Sequence, residues 1–350
     1  MTSFAEKLPA GCIDLCFGEA HIIRQSLLKH FSFPDIQFNE DGFITRHKHS
    51  NRVRKEHTFN YPHPSGYQPL VKLLERKHNA PVIITNGAKQ ALGAMFHAVA
   101  EVDGARYLGY HEPTWGLIKP LAELHGLIPC NQKQFNVSGR RAECFLSIMP
   151  NNPNGATYDL DYGKKLAALY KKDKIPFIHD AAYYAPAYLP DNYQYGNIGD
   201  VQIYSISKMF GLSSLRLGYI VFHDERYYKV VQEYMETMTV GVSLPSQIFL
   251  LELLQDINNN PVGENKFIVD ARNALYQAKF LCRTIRKDIL KVPENLEHQV
   301  GMFLWAKLLK KDAFKKANIL VSEYGDDHVR INLAVPLEKL TAAIERLNAT

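Results

Sequence analysis

Residues 201–222 read Val201-Gln202-Ile203-Tyr204-Ser205-Ile206-Ser207-Lys208-Met209-Phe210-Gly211-Leu212-Ser213-Ser214-Leu215-Arg216-Leu217-Gly218-Tyr219-Ile220-Val221-Phe222. Val201–Ser205 is a mostly apolar run of strand length, and Leu217–Phe222 is another. Between them lies a polar, turn-rich stretch with one lysine and one arginine. A lysine directly after a buried strand sits at the mouth of a sheet, not on its outer face. Taken singly, Lys208 is a solvent lysine. The chemical reading is an amine that forms a Schiff base, because desolvation and nearby cations lower a lysine pKa and free its lone pair.

The same alternation extends outward. Val82–Thr85 reads as a strand, followed by Gly87 and a helical run from Ala88 to about Val102. Arg106–Tyr110 is the next strand and Leu117–Leu124 the next helix. Cys144–Met149 is a strand that ends in the turn cluster Pro150-Asn151-Asn152-Pro153-Asn154-Gly155. Asp159–Lys172 is an amphipathic helix, Pro176–Asp180 a strand, and Asp224 caps a helix running to about Thr239. Short apolar strands separated by amphipathic helices predict an α/β fold, a three-layer sandwich around a mostly parallel sheet. Ligands in such sheets bind beyond the carboxyl ends of the strands. That selects Asn86-Gly87-Ala88, Asn152, Asp180 and Ser205 through Lys208. Asp180 closes an apolar strand, where a carboxylate needs a partner to offset its desolvation. Alone it reads as a turn or cap residue. Together with Lys208 it suits the pyridinium nitrogen of a bound pyridoxal ring, and Tyr183 follows within reach.

Past residue 245 the character changes. Helical patterns at 246–258 and 264–289 precede strands near Gly301–Ala306, Ile319–Glu323 and Val329–Leu333, then a helix at Leu337–Leu347. This predicts a smaller α+β C-terminal domain. The expected division is an N-terminal arm (1–42, with a short helix near Ala20–His30) packing on the small domain, a large cofactor-binding domain (43–244) and the small domain (245–350).

Composition narrows the class. A chain of 350 residues hides about 75% of its extended surface on folding. With 46% apolar and 22% charged residues, a disordered chain, a collagen or a disulfide scaffold is excluded. A net charge of +5 is mild for a nucleic-acid binder. The five cysteines are odd in number and widely spaced, as expected of reduced thiols in a cytoplasmic protein. Met1–Lys7 lacks the apolar core of a secretory leader, and no apolar run approaches membrane-spanning length. Residues 43–60 gather Arg46, His47, Lys48, His49, Arg52, Arg54, Lys55 and His57. They read as an exposed basic loop or arm, or as a lid over an anion. His47, His49, His57 and His63 match no short metal-ligand spacing, so no metal is expected.

Taken together, six segments resemble the class I/II aminotransferases of the pyridoxal-phosphate fold-type I superfamily. They are Tyr61-Pro-His-Pro-Ser-Gly66, Asn86-Gly-Ala-Lys-Gln-Ala91, Asn151-Asn-Pro-Asn-Gly155, Asp180-Ala-Ala-Tyr183, the run Ser205–Gly218, and Val329-Arg-Ile-Asn-Leu333. Each is weak alone; their order and spacing carry the resemblance. It implies pyridoxal 5′-phosphate held as an aldimine on Lys208, which then moves the proton between Cα and the cofactor. It implies Asp180 at the ring nitrogen, Asn152 and Tyr183 at the phenolic oxygen, and Trp115 stacked on the ring. Ser205, Ser207, Arg216, Ala88 and Lys89 would hold the phosphate, and Arg330 the substrate α-carboxylate, with Asn152 and Gly18 beside the substrate. Tyr61 would reach the phosphate of a neighbouring subunit, which implies a homodimer.

The chain departs from the commonest family form at Asn154, where threonine is frequent, but Pro153 and Gly155 still set the turn. The phosphate-end sequence and the short length are most similar to histidinol-phosphate aminotransferases. The implied reaction moves an amino group between an L-amino acid and a 2-oxo acid. The same residues would serve a β-lyase, a cyclase or an oxidase, and a ligand sensor that kept the fold is the non-enzymatic alternative. Small-molecule partners are expected, with no nucleic acid and no membrane.

Overall fold

The computed structural model describes residues 9–39, 42–46, 53–56, 60–131, 141–296, 299–325 and 327–350. Its core is a seven-stranded sheet in the order Val82–Thr85, Gly218–Phe222, Val201–Ser205, Phe177–Asp180, Cys144–Ile148, Tyr107–Tyr110, Ile128–Asn131. Gly218–Phe222 runs antiparallel to both its neighbours and every other pairing is parallel. Five of these strands are buried at every residue, as strands covered on both faces require. The helices Gln68–His78, Ala88–Asp103 and Leu160–Lys172 pack against them. Asp159 caps the last of these by accepting the Tyr162 N–H at 2.7 Å. The α/β architecture is therefore the expected one.

A second, antiparallel sheet lies in the C-terminal part, in the order Leu290–Lys291, Phe303–Leu308, His328–Asn332, Ser322–Tyr324. The expected single strand Ile319–Glu323 is divided. Ile319–Leu320 leaves this sheet to pair in parallel with Ile13–Asp14, while Ser322–Tyr324 stays in it. That division ties residues 13–14 to the C-terminal region. The helix expected over 264–289 spans Pro261–Cys282, started by Pro261 in its first turn and by Asn260 accepting the Gly263 N–H at 2.9 Å.

Within 43–60, the described residues 43–46 and 53–56 are strands and not a bare loop. Asp35–Asn39, Gly42–Arg46 and Val53–Glu56 form an antiparallel meander. The density of charge in this stretch masked its period; charged residues on a final strand also keep a sheet edge from pairing further. His47, Lys48, His49, Arg52 and His57 lie outside the described residues. His63 is described, and its Nδ1 lies 2.7 Å from the Ser65 hydroxyl. Among the described residues no helix is long and apolar enough to cross a membrane.

Candidate active site

Strand direction assembles the site. Thr85, Ile148, Asp180 and Ser205 end strands that run the same way, so the residues that follow them gather at one edge of the sheet. The antiparallel strand begins at that same edge, with Gly218 opposite both Ser205 and Thr85. Arg216 therefore arrives among the strand ends from the other direction. Gly218 has to be glycine: a Cβ there would lie 2.7 Å from the Tyr204 carbonyl oxygen and 2.8 Å from the Ala88 nitrogen.

A cleft of about 1760 Å³ opens at this edge and is closed on its far side by the C-terminal sheet and residues 9–19. Its walls include Gly18, Ala88, Lys89, Trp115, Asn152, Asp180, Tyr183, Ser205, Ser207, Lys208, Arg216 and Arg330. Tyr61 does not line it and is 83% exposed.

Lys208 lies on the short helix Ile206–Met209 that follows the strand Val201–Ser205. Its amine donates to the Gly18 carbonyl. Burial, then the positive charges of Arg330 and Arg216, lower its pKa to about 8, with Glu19 opposing. Asp180 is buried, and burial pushes its pKa up to about 6 although its Oδ1 accepts the Ala182 N–H at 3.0 Å. Asn152 Nδ2 donates to the Tyr183 hydroxyl at 3.5 Å, and burial raises the pKa of that phenol.

Arg330 is held on several sides. Nη1 donates to Asn152 Oδ1 at 2.7 Å, and Nη2 donates to the Cys16 carbonyl at 2.6 Å and to the Ser322 hydroxyl at 2.9 Å. The guanidinium carbon lies 4.2 Å from the Phe303 ring centroid, and Nε is buried without a partner. Lys89 Nζ lies 5.7 Å from the centre of the Trp115 ring.

Several of these residues carried no local sequence signal. Phe303 reaches Arg330 because their strands pair, with Trp305 opposite Arg330. Cys16, Phe17 and Glu19 enter through the strand Ile13–Asp14 and through Asn332, whose Nδ2 donates to the Phe17 and Glu19 carbonyls at 2.6 and 3.0 Å. Ser322 and Tyr324 come from a three-residue strand. Only long-range pairing brings these groups together.

The family model for aminotransferase class I and II matches residues 43–347. The chain belongs to this family. It is 25% identical to aspartate aminotransferase of Thermotoga maritima over 295 residues, covering 76% of this chain and 74% of that protein. It is 27% identical to tryptophan aminotransferase-related protein 2 of Arabidopsis thaliana over 163 residues, which is 45% of this chain. The chain spans 34% of that relative's length, and 52% and 46% of two further relatives of the same description. The solved structure of Thermus thermophilus aspartate aminotransferase with maleate superposes with a TM-score of 0.72 at 17% identity, over 97% of this chain and 91% of that one. That likeness establishes the fold.

The family's cofactor is pyridoxal 5′-phosphate, and the residues present fit it. Ser205 and Ser207 are nearly buried, and their hydroxyls have no hydrogen-bond partner among the described residues. Beside them the helix Ala88–Asp103 begins after Gly87, whose added Cβ would lie 3.1 Å from Arg216 Nη2. Two unpaired hydroxyls, a guanidinium and free first-turn N–H groups form a cradle for a phosphate dianion.

Proposed function

We propose that the protein is a pyridoxal-phosphate-dependent aminotransferase that moves an amino group between an L-amino acid and a 2-oxo acid. One observation carries the reading: a buried amine of lowered pKa, Lys208, shares a cleft with the buried carboxylate of Asp180 and the anchored guanidinium of Arg330. When bound, the cofactor supplies an electron sink that acidifies the Cα–H of an amino acid joined to it.

The chain's own groups do the rest. Lys208 would hold the cofactor through its amine, and once freed that amine would be the base that takes the substrate Cα proton. Asp180 holds the proton on the ring nitrogen by pairing its charge. Asn152 and Tyr183 donate to the phenolic oxygen. Ser205, Ser207, Arg216 and the N–H groups of Ala88 and Lys89 bind the phosphate, and Trp115 covers the ring face. Arg330, with Gly18 and Asn152 beside it, fixes the substrate carboxylate so that the Cα–H points at Lys208.

Residues 43–244 serve as the cofactor-binding unit, 245–350 as the smaller unit and 1–42 as an arm on it. The working form is a cytoplasmic homodimer in which Tyr61 reaches the phosphate bound by the partner subunit. The exposure of Tyr61 supports this, as does that of nearby Met238 and Val240 at 59% and 42%. These are neighbours in space, since an added Cβ on Gly241 would lie 2.9 Å from Pro62.

The test is a panel of single amino acids mixed with the cofactor-loaded protein and followed by cofactor absorbance and product analysis. Stoichiometric 2-oxo acid and pyridoxamine phosphate support transfer. Ammonia and pyruvate formed without an acceptor would identify an elimination enzyme instead.

A further inference from the structure

The strand-end side of the cleft is occupied by groups already given to the cofactor, and Arg330 is given to a carboxylate. The opposite wall is of a different kind. It is built from Cys12, Cys16 and Phe17 of the N-terminal segment and from Leu320, Val321 and Tyr324 of the C-terminal region. The two halves of this wall are joined, since Cys16 Sγ lies 3.1 Å from Ser322 Oγ. Phe17 is held through its backbone by Asn332.

Tyr324 is the most constrained member. Its ring stands edge-on to Trp305, with centroids 5.0 Å apart, and Trp305 is stacked on His328 at 4.9 Å. Its half-buried hydroxyl has no hydrogen-bond partner among the described residues, and burial raises the pKa of the phenol with the Arg330 charge opposing. The phenol therefore faces the reaction chamber from a rigid support.

The charges left on this side are unfavourable for an acidic substrate. Glu19 and Glu323 are exposed acids on the cleft wall, and the exposed Lys315 is the one base there among the described residues not given to cofactor or carboxylate. Among the described residues a distal carboxylate would meet two like charges and no buried cation on this side, and leaving it desolvated and unpaired is costly.

Resting on the aminotransferase reading above, we propose that Phe17 and Tyr324 form the substrate side-chain subsite. It takes an uncharged planar or bulky apolar side chain, so the amino donor is an aromatic or large apolar L-amino acid. Rings suit this wall because flat side chains gain contact area and edge-to-face attraction from Phe17 and Tyr324.

The test is equilibrium binding of unreactive carboxylates to the cofactor-loaded protein, measured by calorimetry. 3-Phenylpropionate should bind about tenfold or more tightly than succinate. Phe17→Ala and Tyr324→Ala should each bring those affinities within about threefold of one another, while Tyr324→Phe, which keeps the ring, preserves the preference. Should Tyr324→Ala fail to fold, Phe17→Ala decides. Tighter binding of succinate, or an unchanged preference in Phe17→Ala, overturns the proposal. Conversion of aspartate or glutamate with weak 3-phenylpropionate binding would sink the subsite and leave the aminotransferase reading standing. If no amino acid shifts the cofactor band, both fall.

Discussion

Arg330 and Asn152 are 178 residues apart in the chain, and Arg330 Nη1 donates to Asn152 Oδ1 at 2.7 Å. The first sits on a strand of the C-terminal sheet and the second in the turn after a central-sheet strand. The contact couples the group proposed to orient the substrate to the group beside the Tyr183 hydroxyl. With the Cys16 carbonyl, the Ser322 hydroxyl and the Phe303 ring around it, the guanidinium is fixed before substrate arrives, which lowers the entropic cost of orienting a carboxylate.

Asn152→Ala removes the acceptor from Nη1 and leaves that N–H without a partner in a buried place. An interaction of this kind to a charged group is worth about 1.5–3 kcal/mol. KM for the amino donor should rise by roughly tenfold or more, with a smaller fall in kcat. Steady-state kinetics check this split, and an unchanged KM would remove Asn152 from substrate positioning.

Lys208 carries a stability signature of its own. Its folded pKa of about 8 lies below the ordinary lysine value of 10.5. Between those values the unfolded chain binds the additional proton. Cofactor-free stability is therefore unaffected above about pH 10.5, falls as pH drops toward about 8, and stays lowered below that by about 3 kcal/mol. Lys208→Met should accordingly be more stable than the parent at pH 7 in urea unfolding, with the gap closing toward pH 10.5. The same variant should be inactive and should fail to retain the cofactor after borohydride treatment. A gap that did not change with pH would show that the amine is not desolvated.

The pKa of Asp180 is shifted in the opposite direction to that of Lys208. Burial raises its pKa to about 6 in the cofactor-free protein, whereas the proton on the cofactor ring nitrogen needs the carboxylate form. Cofactor affinity should therefore weaken as pH falls through about 6, by up to about tenfold per unit. Asp180→Asn should bind more weakly and lose the step near pH 6, keeping only the slope that the Lys208 amine imposes. Fluorescence titration with pyridoxal phosphate between pH 4.5 and 8 measures both, and parent and variant profiles of the same shape would remove Asp180 from the ring nitrogen.

The strand-end residues were legible in the sequence because their signal is local. Asp180, Asn152 and Lys208 each follow an apolar run, and a parallel sheet turns that position in the chain into a position in space. The far wall was not legible in the same way. Phe17, Ser322 and Tyr324 sit in segments without strong periodicity, and their place depends on pairings such as Ile13 with Ile319 that span the whole chain. The meander over 35–56 was hidden for another reason. Its last strand is Val53-Arg54-Lys55-Glu56, where charge outweighs any two-residue alternation. The division at Val321 shows the same limit: one apolar run serves two sheets, and nothing in the run marks the change.

Tyr61 tests the dimer directly. It is exposed and lies outside the cleft of its own chain, so in the dimer proposed above its hydroxyl would serve the phosphate from a neighbouring subunit. Tyr61→Phe should weaken cofactor binding by roughly tenfold, the loss of one hydrogen bond to a charged group. Mixed dimers then separate the two geometries. Pairing a Tyr61→Phe chain with a Lys208→Ala chain leaves one site that has both Lys208 and a partner's tyrosine, and one site that has neither. Such hybrids should retain cofactor covalently at half the sites with the parent's affinity. If the surviving sites kept the weakened affinity of Tyr61→Phe, the tyrosine would act within its own chain or not at all, and the shared site would be refuted.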